Sequence, residues 1–228
     1  MTLLEYVFSG NFFFASVLTF LITIISMTIG ILSGLALALL KESKYKAGRA
    51  SVDLYVWIFR GTPVLLQLIF VFNVLPFWGL NFSPFTCAII ALSFNESAYM
   101  SEIIRAGLIG VDRGQRTAAR VLGFKNKHIT RYIILPQAFR LVLPPIGNQF
   151  IGMLKTSALV SVVSVQDLML TAMRKASANF DYINTLVAAA IWYLFLTSIF
   201  TLVFRYIEKR FDIRRHGKSR LKLASNES

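Results

Sequence analysis

Two charged side chains stand inside apolar stretches of this sequence with no neighbour of opposite sign: Glu96, within Pro84 to Ile104, and Lys155, within Pro144 to Leu170. A carboxylate and an ammonium so placed can pair with each other, or they can present opposite charges to a zwitterionic ligand. As acid, base or amine nucleophile they would also suit an enzyme once burial had moved their proton affinities, but no third group, nucleophile motif or metal cluster accompanies them. Asn95, Tyr99 and Glu102 fall on one helical stripe with Glu96 about a quarter-turn away, and Asn148, Gly152 and Lys155 share a face of another helix. Glu102 has Arg105 three residues on and is expected to pair with it. A charge at the centre of a membrane-crossing helix costs roughly 2.5–3.5 kcal/mol on insertion scales, so such groups face a bundle interior or a water-filled cavity. Cys87 is the single cysteine, and His128 and His216 are the only histidines, both in basic surroundings. That excludes an intrachain disulfide and argues against a metal site.

The elements that must position these groups are long and apolar. Of 228 residues, 56% are hydrophobic and the mean hydropathy is +0.63, above the usual apolar share of a soluble domain. Crossing a hydrocarbon core of ~30 Å takes about 20 predominantly apolar residues. Five stretches qualify, at about 12–40, 62–78, 84–104, 144–170 and 186–206, and they predict an all-α integral membrane protein with five transmembrane helices. The first stretch lacks a basic leader and a clear small-residue cleavage site and outruns a signal-peptide core, so it is expected to be a retained span. Its Thr19, Thr23, Ser26, Gly30 and Ser33 or Gly34 recur at helical spacing and should form a packing face, with Gly30 and Gly34 permitting close approach. Arg60-Gly61-Thr62-Pro63 interrupts helical continuity, so the second span is expected to start near Thr62, with Asp53 to Phe59 as an interfacial segment and Arg60 near the headgroups.

Twenty of the 24 lysines and arginines fall in three places: Lys41 to Ser51, the connection 105–140, and a tail running to Lys222. With five spans these lie on one side only if the N-terminus is outside and the C-terminus inside. The basic tail 207–228 can then lie against anionic headgroups, and nucleic acid is not an expected partner. The outward connections, at Gly79 to Ser83 and Thr171 to Thr185, hold only Arg174 and Lys175.

The connection 105–140 reads as a short helix over Gln115 to Leu122, ended by Gly123, with Pro136 beginning the return to the membrane. Ala118, Ala119, Gly123, Ile133, Leu135 and Pro136 stand in the register of the EAA motif, so the segment resembles the coupling loop of ATP-binding cassette importer permeases. The motif's glutamate is Thr117 here. Arg60-Gly61-Thr62-Pro63 with Gln67, Ala98-Tyr99 with Glu102 and Arg105, Gly147-Asn148-Gln149-Phe150, and Leu154-Lys155 before Leu159-Val160-Ser161 resemble the polar amino acid branch of histidine-, glutamine- and arginine-type permeases. Thr156-Ser157-Ala158 departs from its common Asp-Thr-Ser.

The resemblance implies a MetI-like core with a cytoplasmic coupling helix between spans three and four, in the bacterial inner membrane. It implies four kinds of partner besides lipid: a nucleotide-binding ATPase subunit, a second permease subunit, an external solute-binding protein and an amino acid substrate. ATP and magnesium would bind the ATPase subunit, and no cofactor is expected in this chain, which has no phosphate-cradling loop. ATPase coupling is expected of Gly114, Gln115, Thr117, Ala118, Ala119, Leu122 and Gly123. Candidates for the substrate pathway are Gln67, Asn95, Glu96, Tyr99, Asn148, Lys155 and Ser161. The alternatives are a permease for another small polar solute and a membrane enzyme using Glu96 and Lys155.

Overall fold

Helices in this chain start where a short polar side chain precedes an apolar run. The Phe12 amide donates to Ser9 Oγ (3.4 Å), that of Thr86 to Ser83 Oγ (3.2 Å), that of Leu170 to Asp167 Oδ1 (2.9 Å) and that of Asn184 to Asp181 Oδ1 (3.2 Å). Each contact satisfies one first-turn amide that no intrahelical carbonyl reaches. These caps open four of the α-helices in the computed structural model, which describes residues 2–211. Most of the expected basic tail, and His216, lie outside the described residues.

A short α1 (Leu3–Val7) leads into α2 (Gly10–Lys41). The helices α3 (Lys46–Gly61) and α4 (Val64–Asn73) meet at a bend of 101°, and a 3₁₀ turn at Leu75–Trp78 follows. After α5 (Pro84–Ile109) come the loop helix α6 (Arg113–Val121), a single turn α7 (Asn126–His128), a π-helical turn (Ile129–Ile134) and α8 (Leu135–Thr156). That last helix passes into 3₁₀ geometry at Ser157–Val163, and α9 (Leu168–Asn179) and α10 (Tyr182–Arg210) complete the fold.

Three helical runs are long and apolar enough to cross a bilayer unaided: α2, the continuous run Asn126–Val163, and α10. The pair α3–α4, bent by 101°, has the length and apolar character of a fourth only when both helices are taken together. The 26 residues of α5 extend ~39 Å at 1.5 Å per residue, but Glu96, Glu102 and Arg105 lower its apolar character.

Three expectations change in detail. The break expected at 60–63 is present, Pro63 lacking an amide and holding Thr62 extended (φ −116°, ψ 147°). The helix after it does not run unbroken to 78: α4 ends at Asn73 ahead of the 3₁₀ turn that carries Pro76, which leaves it 10 residues, half a hydrocarbon thickness. Asp53 to Phe59 lies within α3, where Val52 and Val56 pack on Ala98 and Tyr55 Oη donates to the Phe94 carbonyl (2.8 Å). The connection expected after residue 170 is mostly helical, as α9.

The most extensive helix–helix contact among the described residues is α2 against α5. Thr19, Thr23, Ser26, Gly30 and Gly34 are all buried on one face of α2, as their spacing predicts, while Ser33 is exposed. The Thr19 and Thr23 hydroxyls donate to the carbonyls four residues back (3.0 and 2.8 Å), which makes the face apolar in effect. A Cβ at Gly30 would lie 2.8 Å from Glu96 Cβ and Cγ; one at Gly34 would lie 2.5 Å from Met100 Cβ and 2.9 Å from the Ser97 carbonyl oxygen. The glycine pair is therefore a seam within the chain. At one end of this seam Lys41 Nζ reaches both Asp53 Oδ1 and Glu102 Oε1 at 2.9 Å, tying α2 to α3 and α5. Arg105 pairs with Glu102 (3.1 Å), as its spacing predicts.

Gly34→Val is expected to cost roughly 1–3 kcal/mol by overpacking and to lower the melting temperature of the purified complex. Gly61→Ala, where nothing lies within 4 Å of the added methyl, should leave it unchanged. Equal melting temperatures for the two variants would show that the α2–α5 seam tolerates the added bulk.

Candidate functional site

Breaking a helix inside a membrane frees backbone carbonyls that no water can satisfy. Two side-chain amides supply the missing donors at the α3–α4 bend. Gln67 Nε2 donates to the Phe59 carbonyl (3.0 Å), the Thr62 carbonyl (3.2 Å) and Thr62 Oγ1 (2.8 Å). Asn95 Nδ2, from α5, donates to the same Phe59 carbonyl (2.9 Å) and to Gln67 Oε1 (3.1 Å). The bend is thereby fastened to α5 on one side.

On its other side the bend opens a cavity of about 520 Å³, whose rim is Arg60 to Val64. Asn95, Glu96 and Tyr99 line it from α5, and Gln149, Gly152, Met153 and Thr156 from α8. The four α8 positions recur at intervals of three and four, one helical face. Glu96 is only 3% exposed, and Gln149 Nε2 donates to both of its carboxylate oxygens (3.2 and 3.4 Å). Gly30 lies behind it, the one residue type that lets α2 come so close. The Arg60 guanidinium sits 5.1 Å from the centroid of the Tyr99 ring, a cation–π contact. Carboxylate, guanidinium, amides and a hydroxyl thus face one water-accessible space. A small molecule bearing both charges fits this chemistry.

The residues singled out from sequence separate into those that line the cavity and those that do not. Asn95, Glu96 and Tyr99 line it. Gln67 braces the bend, while Asn148 and Lys155 are exposed on α8, one residue out of phase with the cavity face. Among the described residues Glu96 and Lys155 form no ion pair. Ser161 lies in the 3₁₀ segment, its hydroxyl donating to the Ala158 carbonyl (2.7 Å), as Ser157 does to Leu154 (2.7 Å). Arg60, an exposed side chain, is the one cation among the cavity's described lining residues. Arg60, Gln149, Met153 and Thr156 were missed as lining residues; the spacing of 149, 152 and 156 is the signal that would have found three of the wall's positions.

The loop helix α6 is set by its ends. Asp112 Oδ1 accepts from the Gly114 amide (2.6 Å). At the far end the Phe124 amide bonds to the Ala119 carbonyl and the Gly123 amide to Arg120 (3.0 Å each), with Gly123 at φ +80°. This is a Schellman stop, which needs glycine for its left-handed backbone. Ala119 is buried with Val111, Ile129, Ile134 and Ala138, so its small size serves the loop's own packing. Gln115 and Gln137 join side chains across the loop. Gly114, Thr117 and Ala118 are exposed among Arg113, Gln115 and Arg120, and Val121 and Leu122 are 83% and 75% exposed, so α6 presents a polar outer surface with an apolar pair at its C-terminal end.

Against known proteins, residues 26–213 match the family described as binding-protein-dependent transport system inner membrane component. The arginine transport system permease protein ArtQ of Bacillus subtilis is 37% identical, covering 85% of this chain and 89% of its own length. The L-cystine transport system permease protein TcyB of the same organism is 36% identical over 90% of this chain and 87% of its own. The putative glutamine transport system permease GlnP of Rickettsia bellii is also 36% identical, over 86% and 90%. Among solved structures, an amino acid ABC transporter crystallised with histidines superposes with a TM-score of 0.84 at 40% identity, over 88% of this chain and 94% of that one. The inward-facing MetNI methionine transporter shares the fold, with a TM-score of 0.69 at 18% identity.

If Gln67 is a brace, Gln67→Leu orphans acceptors at the bend and destabilises the protein by ~1–3 kcal/mol, seen as a lower melting temperature with unchanged substrate preference. Altered preference at an unchanged melting temperature would instead place Gln67 in the pathway.

Proposed function

This chain belongs to the inner membrane components of binding-protein-dependent transport systems, and from that membership we propose that it passes polar amino acids through the cavity beside the α3–α4 break. It is the permease subunit of an ATP-binding cassette importer, a multi-pass membrane protein whose ATPase is a separate subunit. Its place is the bacterial inner membrane, in complex with two ATPase subunits, a second permease chain and an external solute-binding protein. Adenine nucleotide and magnesium bind the ATPase subunits. We count five spans: α2, the bent α3–α4 pair, α5, the run ending at Val163, and α10. Counting α5 is supported by its length and by the burial of Glu96 and pairing of Glu102, which keep both carboxylates from lipid. The distribution of lysine and arginine supports an external N-terminus and a cytoplasmic α6.

The observation that carries the reading is the convergence of Glu96 and Arg60 on one cavity. Glu96 takes the α-ammonium of the substrate and Arg60 its carboxylate, a role for which Lys155 faces the wrong way. The side chain then meets Thr156, Met153 and Asn95, a wall with hydroxyl, thioether and amide but no second carboxylate among the described lining residues. A neutral polar side chain, such as an amide, is accommodated better than a basic one. Energy enters at α6, where the exposed Val121 and Leu122 seat on the ATPase subunit. With threonine in place of the motif's glutamate at position 117, this contact rests on apolar area and shape.

In reconstituted vesicles, Arg60→Gln and Glu96→Gln should each raise KM for a neutral amino acid about tenfold or more, the loss of one charge-assisted hydrogen bond, while Lys155→Gln leaves it unchanged. The reverse pattern would move the carboxylate site to Lys155.

For the docking surface, Leu122→Asp should reduce transport-coupled ATP hydrolysis about tenfold or more, whereas Thr117→Glu is tolerated. A strong loss from Thr117→Glu alone would contradict docking by shape.

A further inference from the structure

At the opposite end of the molecule from α6, a second cavity of about 330 Å³ lies between the first turns of α2 and the helix α9. Asn11, Phe14, Ala15 and Leu18 form its α2 wall, at helical spacing on one face; Thr171, Arg174 and Lys175 form its α9 wall, likewise on one face. Gln166, two residues before the Leu168 amide that donates to Thr19 Oγ1 (3.1 Å), stands at the inner end beside Leu18. Arg174 and Lys175 are two of only four basic residues outside the three clusters that define the basic side. Their charge is uncompensated. The acids at this end are engaged elsewhere: Glu5 accepts from the Thr2 amide, Asp167 caps α9 and Asp181 caps α10. Among the described residues neither Arg174 nor Lys175 has an ion-pair partner.

The α2 wall grades from polar to apolar along the helix. Asn11 stands at its first turn, and Leu18 lies seven residues or ~10 Å deeper. Phe14 is 73% exposed, and Phe13, Val17 and Leu21 of the same helix are exposed too, giving α2 an exposed apolar surface suited to lipid. A cavity with two cations and the Asn11 amide at its mouth and an aromatic-aliphatic α2 wall running inward matches an amphiphile with an anionic head. We propose that this groove binds an anionic phospholipid, its phosphate held between Arg174 and Lys175 and one acyl chain laid along Phe14 and Leu18. Asn11 and Thr171 donate to the remaining head oxygens. Through Asp167, which caps α9, and through the Leu168 amide, which donates to Thr19 Oγ1 (3.1 Å), the lipid stiffens the junction of α9 with α2. The proposal does not depend on which solute the central cavity carries.

The test uses the intact permease–ATPase complex, purified and placed in nanodiscs of phosphatidylcholine with increasing phosphatidylglycerol, and read by native mass spectrometry and thermal unfolding. The wild-type complex should retain one phosphatidylglycerol more per permease chain than the Arg174→Gln/Lys175→Gln variant, and its affinity for that lipid should exceed the variant's by about thirtyfold, the effect of two basic residues at a lipid surface. An Arg174→Lys/Lys175→Arg variant should behave as wild type. Equal retention by the wild-type and glutamine variants overturns the proposal, as does equal protection by inorganic phosphate, which would make the site one for a free anion. So does a variant that keeps its phosphatidylglycerol but loses affinity for the solute-binding protein, which would assign the two cations to a protein contact. Should the glutamine variant fail to assemble, the wild-type complex still decides: no preference for phosphatidylglycerol over phosphatidylcholine sinks the idea.

Discussion

A polypeptide inside a bilayer has no water to fall back on, and the break at Thr62–Pro63 is where this chain meets that constraint most severely. The Phe59 and Thr62 carbonyls lose their helical donors there, and the amides of Gln67 and Asn95 replace them. Much of the central architecture follows from this repair. Because Asn95 belongs to α5, the bend is registered against the helix that carries Glu96 and Tyr99. Because α3 stops at the bend, Arg60 in its last turn projects beside Tyr99 instead of continuing a buried helix. The cavity is the space left where the chain turns through 101°, and its charged walls are the residues adjoining the repair.

The second determinant is the seam between α2 and α5. Lipid tails are as apolar as leucine, so helices in a membrane gain little from hydrophobic burial and associate through close packing and polar contacts. Gly30 and Gly34 bring the α2 backbone against Glu96 and Met100, while threonine hydroxyls on the same face fold back onto their own carbonyls. A carboxylate in such a position is shielded on one side by glycine and held on the other by Gln149 from α8. The seam therefore excludes lipid and water from one side of Glu96 and leaves it only the cavity to face. The Lys41–Glu102–Arg105 group at the end of the same seam fastens the helix from which the loop bearing α6 departs.

The all-helical class, the packing face of α2, the Glu102–Arg105 pair and the stop at Gly123 were legible in the sequence, because each depends on apolar length, on residues three or four apart or on a single backbone conformation, whereas α9 stands where a connection was expected. The cavity was legible in part. Glu96 and Tyr99 stand out as polar groups in an apolar run. Their partners do not, because Gln149 lies 53 positions away and the phase of α8 is set by tertiary packing. An error of one residue in that phase rotates a side chain by about 100°, which is the difference between Gln149 in the wall and Asn148 outside it. Lys155 is conspicuous in sequence as an isolated charge, yet that same rotation leaves it exposed. Gln67 and Asn95 look like ligand-binding groups for the same reason that they make good braces: both have amides with donors to spare. Ala119 and Gly123 belong to a docking motif by resemblance, while in the structure one fills the loop's own core and the other supplies a left-handed turn, leaving Val121 and Leu122 as the exposed apolar pair at the end of α6.

The claim on which the rest stands is that the cavity at the broken helix is the route of the solute. Since Cys87 is the only cysteine and is buried, replacing it with serine gives a background in which a single thiol can be placed at Gly61, where an added Cβ meets nothing within 4 Å. The most direct measurement is the rate at which a membrane-impermeant thiol reagent modifies Gly61→Cys in the reconstituted, transport-competent complex, with and without the amino acid. The account predicts modification that saturating substrate slows. Modification at the same rate in both conditions, in a variant that still transports, would contradict it.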